Sequence, residues 1–247
     1  MDAQQFERLA ARARALAETG SGRESGPGSG PDGGPGRLDD RPGSELGSGL
    51  GSGSEHASVQ RRILGLAGAP GAGKSTLAAR LVARLDGLAV LVPMDGFHLA
   101  QAELERLGRA GRKGAPDTFD AAGYTALLAR LRTPAPGTTV YAPAFDRSIE
   151  QPIAGAIAVG PEVPLVVTEG NYLLHDEDAW AGVLPLLDEA WYLDLDARRR
   201  VPRLVDRHVR FGKDRAHAER WVHGSDEANA RLVARGRDRA HLVVPMS

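Results

Sequence analysis

One nine-residue segment restricts the fold of this chain more than any other feature. It fits the pattern G-x-x-x-x-G-K-[ST] and runs Gly68-Ala69-Pro70-Gly71-Ala72-Gly73-Lys74-Ser75-Thr76. The apolar residues 63–67 before it are typical of a buried strand, and residues 76–85 after it carry apolar side chains at helical spacing. This order of strand, glycine-rich loop and helix predicts a loop whose backbone N–H groups hold phosphate oxygens beside the positive end of a helix.

The segment predicts a nucleoside triphosphate site. The Lys74 ammonium would bridge the outer phosphates, and the Ser75 hydroxyl would bind Mg²⁺. Lysine is rare in this chain: of 31 basic residues, only Lys74, Lys113 and Lys213 are lysines. One of the three therefore falls where phosphate binding needs a compact ammonium. Lys113 and Lys213 lie in polar, glycine-bearing segments, where an ordinary solvated lysine and a functional one are both open interpretations.

The composition narrows the classes of function. The net charge of −1 gives no field that would attract nucleic acid. The absence of cysteine excludes disulfides, thiolate metal sites and a cysteine nucleophile. The sequence has no secretory-type start and no apolar run of about 18 residues. We expect a cytoplasmic protein with a small-molecule partner and no nucleic-acid or membrane partner, and we leave the oligomeric state open, a homodimer included.

The chain divides near residue 58. Residues 1–19 predict a short helix with a thin, alanine-rich apolar stripe, which we expect to dock weakly or to fray. Residues 20–57 are dominated by Gly, Ser, Pro and charge, so they cannot bury enough apolar area to fold, and we expect a disordered linker. Residues 58–247 are long enough for a single core, and we assign them to one domain.

Within residues 58–247, short apolar runs alternate with helical patterns. The predicted strands are 63–67, 88–92, 165–168, 190–195 and 241–244, and the predicted helices are 75–86, 120–132, 177–187, 197–210 and 214–235. This alternation predicts an α/β fold, with a parallel sheet covered by helices on both faces. Ligands of such sheets bind beyond the carboxyl ends of the strands, so the residues after each strand are the functional candidates.

Acidic residues follow two of these predicted strands. Asp95 follows the second, where a carboxylate could take the proton of an attacking hydroxyl; Asp-Gly is also ordinary turn chemistry, and that alternative stays open. Glu169 follows the third, where it could support Mg²⁺ directly or through water, or simply reach solvent. Residues 198–215 are densely basic and predict either a solvated helix face or an arginine-bearing lid over the phosphates.

Together these segments resemble the P-loop small-molecule kinases that include phosphoribulokinase, uridine kinase and type I pantothenate kinase. The resemblance extends over about residues 60–246 and is nearest to bacterial proteins named as nucleoside/nucleotide kinase family or fructose-transport-system kinase. It rests on GAPGAGKST, PMDGFH, RKGAPDTFD, VYAPAFDR, VVTEGNYLL, RLVDRHVRFGK and RGRDRAHLVV. It implies a three-layer P-loop NTPase fold with an arginine-bearing lid, and an ATP- and Mg²⁺-dependent kinase that phosphorylates a hydroxyl of a small metabolite.

The resemblance also implies roles for individual residues. Asp95 would be the catalytic base, while Lys74 and Arg207 would stabilise the transferring phosphoryl group. Ser75 and Glu169 would support Mg²⁺. The candidate acceptor-site residues are His98, Lys113, Tyr141, Asp146, Arg147 and Asn171.

Three positions depart from the patterns of the named relatives. Pro143 and Leu204 replace a histidine and an aromatic residue of pantothenate kinases, and Asp146 stands where uridine kinases carry a histidine. We therefore expect poor activity on pantothenate and uridine and better activity on a sugar-like acceptor. The alternatives are a divergent pantothenate or uridine kinase, a non-catalytic nucleotide-binding module, and a GTPase or transport ATPase, whose Asn-Lys-x-Asp or LSGGQ signatures are missing here.

Overall fold

The strands form one large sheet and one hairpin. This computed structural model describes residues 1–20 and 60–247. In that part of the chain the strands are β1 (Arg62–Gly68), β2 (Ala89–Pro93), β3 (Val140–Asp146), β4 (Gln151–Val159), β5 (Leu165–Gly170), β6 (Glu189–Asp194) and β7 (Leu242–Pro245). Five of them form a parallel sheet in the order β2-β5-β1-β6-β7, and β3 pairs with β4 in an antiparallel hairpin. The predicted parallel sheet is confirmed.

Helices cover both faces of the sheet. They are α1 (Ala3–Gly20), α2 (Lys74–Leu85), α3 (Gln101–Arg106), α4 (Ala121–Arg132), α5 (Ala197–Arg210), α6 (Arg215–Trp221) and α7 (Glu227–Ala234). One apolar core joins the sheet to α4 and α7, and a second joins its other face to α1 and α2. Because both faces are covered, all six residues of β5 are buried, which explains its continuous apolar run. The result is the predicted three-layer α/β fold.

The N-terminal helix is packed more firmly than its sequence suggested. Phe6, Leu9 and Ala13 of α1 are buried in the same core as α2 and the sheet. An ion pair of 2.7 Å between Arg12 Nε and Glu189 Oε2 links the helix to β6. The expectation of weak docking or fraying was wrong, because the small alanine side chains let the helix approach the core closely. The predicted linker, residues 20–57, lies outside the described residues apart from Gly20, which ends α1.

Four segments differ from the predicted elements, the first being the short helix α3, which was not predicted. Residues 177–187 form two 3₁₀ turns, Asp178–Gly182 and Leu184–Leu186, in place of one helix, and Pro185 lies in the second turn. Residues 214–235 are α6 and α7 joined by a π-helical turn, Val222–Asp226. The hairpin β3–β4 was not predicted as strands. No helix among the described residues is long and apolar enough to cross a membrane.

Candidate active site at the carboxyl ends of the strands

The glycine-rich segment folds as a tight loop between β1 and α2. Gly71 and Gly73 have φ values of +79° and +95°, in the left-handed region that favours glycine. A Cβ on Gly71 would lie 2.7 Å from Cγ of Leu204, so the loop also needs glycine for its contact with α5. Helix α2 begins at Lys74. Its free N–H groups therefore face the space above the loop, where an anion is favoured.

Lys74 lies at the base of this loop. Its ammonium donates to the Ala69 carbonyl at 3.1 Å and to Asn171 Oδ1 at 2.8 Å. Burial lowers the pKa of Lys74, and the nearby carboxylates of Glu169 and Asp95 oppose that shift. Asn171, a predicted acceptor residue, lines the same cleft and is in direct contact with the phosphate-loop lysine.

Glu169 lies between the loop and the edge strand. In the sheet register it pairs with Leu66 of β1 on one side and with Pro93 of β2 on the other. Ser75 Oγ donates a hydrogen bond of 2.7 Å to Glu169 Oε1. Burial and the neighbouring Asp95 carboxylate raise the pKa of Glu169, while Lys74 and the Ser75 hydroxyl act in the opposite direction. The two predicted Mg²⁺ residues are therefore in direct contact.

Asp95 is held by a 3₁₀ turn, Met94–Phe97, that follows β2. Gly96 is required there because a Cβ would collide with the Pro143 carbonyl. The Asp-Gly pair thus makes a turn, as one of the two interpretations held, and that turn also places the Asp95 carboxylate in the cleft. The role of Asp95 as a base stays a prediction. Arg147 Nη2 donates to Asp95 Oδ2 at 3.0 Å.

His98 packs beside this turn. Its ring lies 4.0 Å from the Phe119 ring and 4.7 Å from the Phe145 ring, between centroids. Its Nδ1 is 2.8 Å from the Asp95 carbonyl oxygen. Burial lowers the pKa of His98, which favours the neutral imidazole. His98 therefore forms part of an aromatic wall of the site.

Helix α5 supplies the basic side chains opposite Asp95. Arg207 faces the cleft, and burial together with the nearby Arg147 lowers its pKa. Arg200 is almost fully buried; it donates to the Pro70 carbonyl at 3.2 Å and pairs with Glu227 at 2.6 Å. The sequence showed Arg200 only as one of three consecutive arginines, so its contact with the phosphate loop was missed.

The cleft that joins these groups has a volume of about 340 Å³. It brings together the phosphate loop, Asp95, Glu169, Arg207 and most of the predicted acceptor residues. The lining residues include Pro70, Gly71, Lys74, Ser75, Asp95, His98, Lys113, Phe145, Arg147, Glu150, Glu169, Asn171, Arg207, His208, Lys213, Trp221, Asp226 and Asn229. Trp221 and Asn229 carried no signal in the sequence, because they are ordinary residues until the chain folds. Phe145 lies in the segment VYAPAFDR but was not chosen as a site residue.

Two predicted acceptor residues lie outside the cleft. Tyr141 is 60% exposed. Asp146 is exposed, and its Oδ1 accepts hydrogen bonds from the backbone N–H and the hydroxyl of Ser148. Phe145 lines the cleft, whereas the next residue, Asp146, points to the other side of the strand. Tyr141 is separated from Phe145 by an irregularity in the β3–β4 pairing between Ala142 and Ala144, and it does not line the cleft.

The carboxylates fit a magnesium ion that is shared with a nucleotide. Glu169 and Ser75 offer hard oxygen atoms of the kind that Mg²⁺ prefers, and Asp95 is near them. In residues 1–20 and 60–247, no group of three or more His, Asp or Glu side chains is arranged to hold a metal ion. A magnesium ion here would therefore take most of its ligands from phosphate oxygens and water.

Four features define the P-loop kinase class: the phosphate loop after the central strand β1, Glu169 near the end of the adjacent strand β5, Asp95 after the edge strand β2, and the basic helix α5. The comparisons with known proteins agree, and the chain belongs to the P-loop kinase family. It is 35% identical over 160 residues to an ATP-dependent kinase-like protein of Aspergillus versicolor, covering 62% of this chain and 93% of that one. No family model matches the chain.

Two further relatives support this assignment. The chain is 36% identical over 162 residues to a proposed uridine kinase of Schizosaccharomyces pombe, covering 62% of this chain and 68% of that one. The crystal structure of a proposed fructose transport system kinase from Silicibacter sp. TM1040 superimposes with a TM-score of 0.70 at 40% identity, covering 77% of this chain and 93% of that one. The predicted family resemblance is confirmed.

Proposed function

We propose that this protein transfers the γ-phosphoryl group of ATP to a hydroxyl group of a small metabolite. The observation that carries the proposal is the position of Asp95. Its carboxylate follows the strand next to β5, opens into the same cleft as Lys74 and Arg207, and is coupled electrostatically to Glu169. A carboxylate that shares a cleft with the phosphate loop can take the proton of an acceptor hydroxyl. A protein that only binds nucleotide needs no such base.

The reaction follows from this arrangement. The acceptor oxygen attacks the γ-phosphorus, the hydroxyl proton passes to the Asp95 carboxylate, and the bond between the γ-phosphorus and the β–γ bridging oxygen breaks to release ADP. Arg147 contacts Oδ2 of Asp95, so we assign the proton to Oδ1. Lys74 and Arg207 stabilise the negative charge that spreads over the transferring group.

Ser75 and Glu169 would hold Mg²⁺, directly or through water. When bound, Mg²⁺ neutralises phosphate charge and fixes the phosphate oxygens for in-line attack. Two residues of the chain support the loop itself. Asn171 accepts a hydrogen bond from the Lys74 ammonium, and Arg200 connects the phosphate loop to helix α7 because it donates to the Pro70 carbonyl and pairs with Glu227.

The names of the relatives mention uridine and fructose transport, but they do not identify the acceptor of this chain. Pro143 and Leu204 argue against pantothenate, because pantothenate kinases carry a histidine and an aromatic residue at those positions. Asp146 lies outside the cleft, so the polar groups offered to an acceptor are Lys113, Arg147 and Lys213 in its place.

The test is acceptor-dependent release of ADP, with the phosphorylated product identified by mass spectrometry. Asp95→Asn keeps the size of the side chain but cannot take a proton, so we expect kcat to fall by roughly 10²–10⁴-fold while binding of an ATP analogue survives. Asp146→Asn is the matched control, since this exposed aspartate lies outside the cleft. Equal activities of the two variants would remove Asp95 from the role of base.

A further inference from the structure

All three lysines of the chain line the one cleft described above. Arginine supplies the other basic positions of the sequence, so a surface lysine is the exception here. Lys74 belongs to the phosphate loop. The convergence of Lys113 and Lys213 on the same cleft favours the functional interpretation that the sequence left open for both.

Lys113 and Lys213 approach the cleft from different walls. Lys113 precedes Gly114, whose carbonyl accepts hydrogen bonds from Tyr172 Oη at 2.6 Å and Asn229 Nδ2 at 3.2 Å. These two bonds fix the backbone that presents Lys113. Lys213 follows α5, in the turn that leads to α6. The space between the two side chains is therefore bounded by the body of the protein on one side and by the lid on the other.

Neither ammonium has an anionic partner of its own. Lys113 Nζ donates to the Glu150 carbonyl at 2.7 Å and lies 5.4 Å from the Phe145 ring centroid. Lys213 Nζ lies 5.4 Å from the Trp221 ring centroid. Among the residues that the structure describes, no carboxylate oxygen lies within 4.0 Å of either ammonium.

The electrostatics of this half of the cleft are unfavourable without a ligand. Burial lowers the pKa of Lys113, the charge of Lys213 lowers it further, and the Glu150 carboxylate only partly opposes them. The other acidic group here, Asp226, is engaged by His208 Nε2 at 2.9 Å. Two like charges that face a shared space favour an anion between them.

The contacts of Lys113 place it on the wall of the cleft that Phe145 and His98 form. Its ammonium lies 5.4 Å from the Phe145 ring centroid, and that ring packs at a tilt of 44° against His98, beside Asp95. The charge of Lys113 also contributes to the lowered pKa of His98. The phosphate loop has its own cations in Lys74 and Arg207. The Lys113 side of the cleft is therefore the side where the acceptor meets the base.

On the basis of the proposed kinase function, we propose that the acceptor carries an anionic group, a carboxylate or a phosphate monoester, which Lys113 and Lys213 hold while its hydroxyl faces Asp95. A hydroxy acid or a sugar phosphate has this chemistry. A neutral sugar or nucleoside would leave the two ammonium groups unpaired, and a site built for a polar partner discriminates strongly against a ligand that lacks it.

The first experiment measures binding of inorganic phosphate by thermal shift. The phosphate loop is first saturated with Mg²⁺ and a non-hydrolysable ATP analogue, and the ionic strength is held constant with chloride. Phosphate that binds the folded protein raises its melting temperature according to its concentration and Kd. We expect saturable binding to the wild type and an apparent Kd at least tenfold weaker in Lys113→Gln and in Lys213→Gln.

Arg210→Gln is the matched control. It removes one positive charge from the end of the same lid helix, at an exposed position that does not line the cleft. Phosphate binding that is absent from the wild type, or equal in the lysine variants and the control, overturns the proposal. If Lys213→Gln weakens binding of the ATP analogue but not of phosphate, Lys213 contacts the nucleotide, and the proposed pairing of Lys113 with Lys213 is wrong. If the analogue does not bind at all, the proposed kinase function fails first and this inference falls with it.

The second experiment compares acceptors in neutral and anionic pairs. Glycerol is paired with glycerate, and ribose with ribose 5-phosphate, so the two pairs distinguish a carboxylate from a phosphate. We expect the anionic member of a productive pair to have a kcat/KM at least tenfold higher, and the advantage to be lost in Lys113→Gln. Equal or faster turnover of the neutral members would overturn the anionic-group proposal and leave the kinase proposal standing.

Discussion

Arg147 Nη2 lies 3.0 Å from Oδ2 of Asp95, so the assigned base is paired with a cation from the separate β3–β4 hairpin. About a third of each side chain is exposed, 37% for Arg147 and 27% for Asp95. An ion pair this accessible to water adds at most about 1 kcal/mol to stability. We therefore expect the ion pair to act mainly by orienting the Asp95 carboxylate and by joining the turn after β2 to the hairpin that carries Phe145.

The first prediction follows from this pair. Arg147→Gln should leave the melting temperature within about 4 °C of wild type, because a pair worth at most about 1 kcal/mol is lost. The KM for ATP should be unchanged, and kcat/KM for the acceptor should fall by at least about tenfold, which is 1.4 kcal/mol of barrier. Steady-state kinetics with each substrate varied in turn give the two values. A rise in the KM for ATP with unchanged acceptor kinetics would place Arg147 with the nucleotide.

The second prediction concerns Lys74. Lys74→Met removes the ammonium while keeping a long unbranched side chain, and we expect turnover to fall by about 10²–10³-fold, as for the loss of one preorganised charge donor. Asn171→Ala keeps the Lys74 ammonium but removes its hydrogen-bond acceptor at 2.8 Å, so turnover should fall less than in Lys74→Met. Turnover within about tenfold of wild type in Lys74→Met would contradict the phosphate-loop assignment.

The third prediction is a pH dependence that Mg²⁺ should shift. The pKa of Glu169 is raised by burial and by Asp95, and Mg²⁺ binding needs the ionised carboxylate. Proton and metal therefore compete: affinity for Mg²⁺ should rise as pH increases through the raised pKa and fall below it. More Mg²⁺ should move the acidic limb of the kcat/KM profile to lower pH.

Profiles at two Mg²⁺ concentrations measure this shift. Glu169→Gln should abolish it and weaken Mg²⁺ activation, whereas Glu105→Gln, on an exposed face of α3, should behave as wild type. An acidic limb that stays at the same pH at both concentrations would show that Glu169 does not compete for the metal.

The fourth prediction tests the docking of α1 with two substitutions in one helix. Ala13→Asp puts a carboxylate at a position with no solvent exposure, where burial without a partner costs several kcal/mol. We expect the melting temperature to fall by about 5 °C or more. Ala15→Asp makes the same change in helix propensity at an exposed position and should shift the melting temperature only slightly. Equal shifts would mean that α1 adds nothing to the stability of the core.

The sequence was sufficient for everything that depends on local pattern. The phosphate loop, the strands that carry Asp95 and Glu169, and the basic helix with Arg207 were each predicted, and the structure brings their side chains into one cleft. These predictions succeed because parallel strands in one sheet place their carboxyl ends at the same edge. The contact of Ser75 with Glu169 follows from that rule together with the pairing of β5 beside β1, which only the structure gives.

The acceptor side depends on tertiary contacts that local patterns do not encode. Strand β4 lacks alternation of polar and apolar residues, and it contains Gly155 with a φ of +66°, so its hairpin with β3 carried no strand signal. Without the hairpin, the side of β3 that enters the cleft could not be known, and Tyr141 and Asp146 were chosen where Phe145 lies. The convergence of Lys113 and Lys213 is likewise a property of the folded chain.

The two halves of the cleft are built on different parts of the sheet. The phosphate loop follows β1 at its centre, whereas Asp95 follows β2 at its edge, and the hairpin β3–β4 packs on the turn after β2. The buried residues of the hairpin, Val140, Ala142 and Val159, share a core with β1 and β5. Its exposed residues, such as Tyr141 and Ile153, can change without altering that core. An exchange of the exposed residues and the turn of this hairpin between relatives should therefore change the surroundings of Asp95 while the phosphate loop keeps its structure, so one wall of the site can vary in evolution separately from the other.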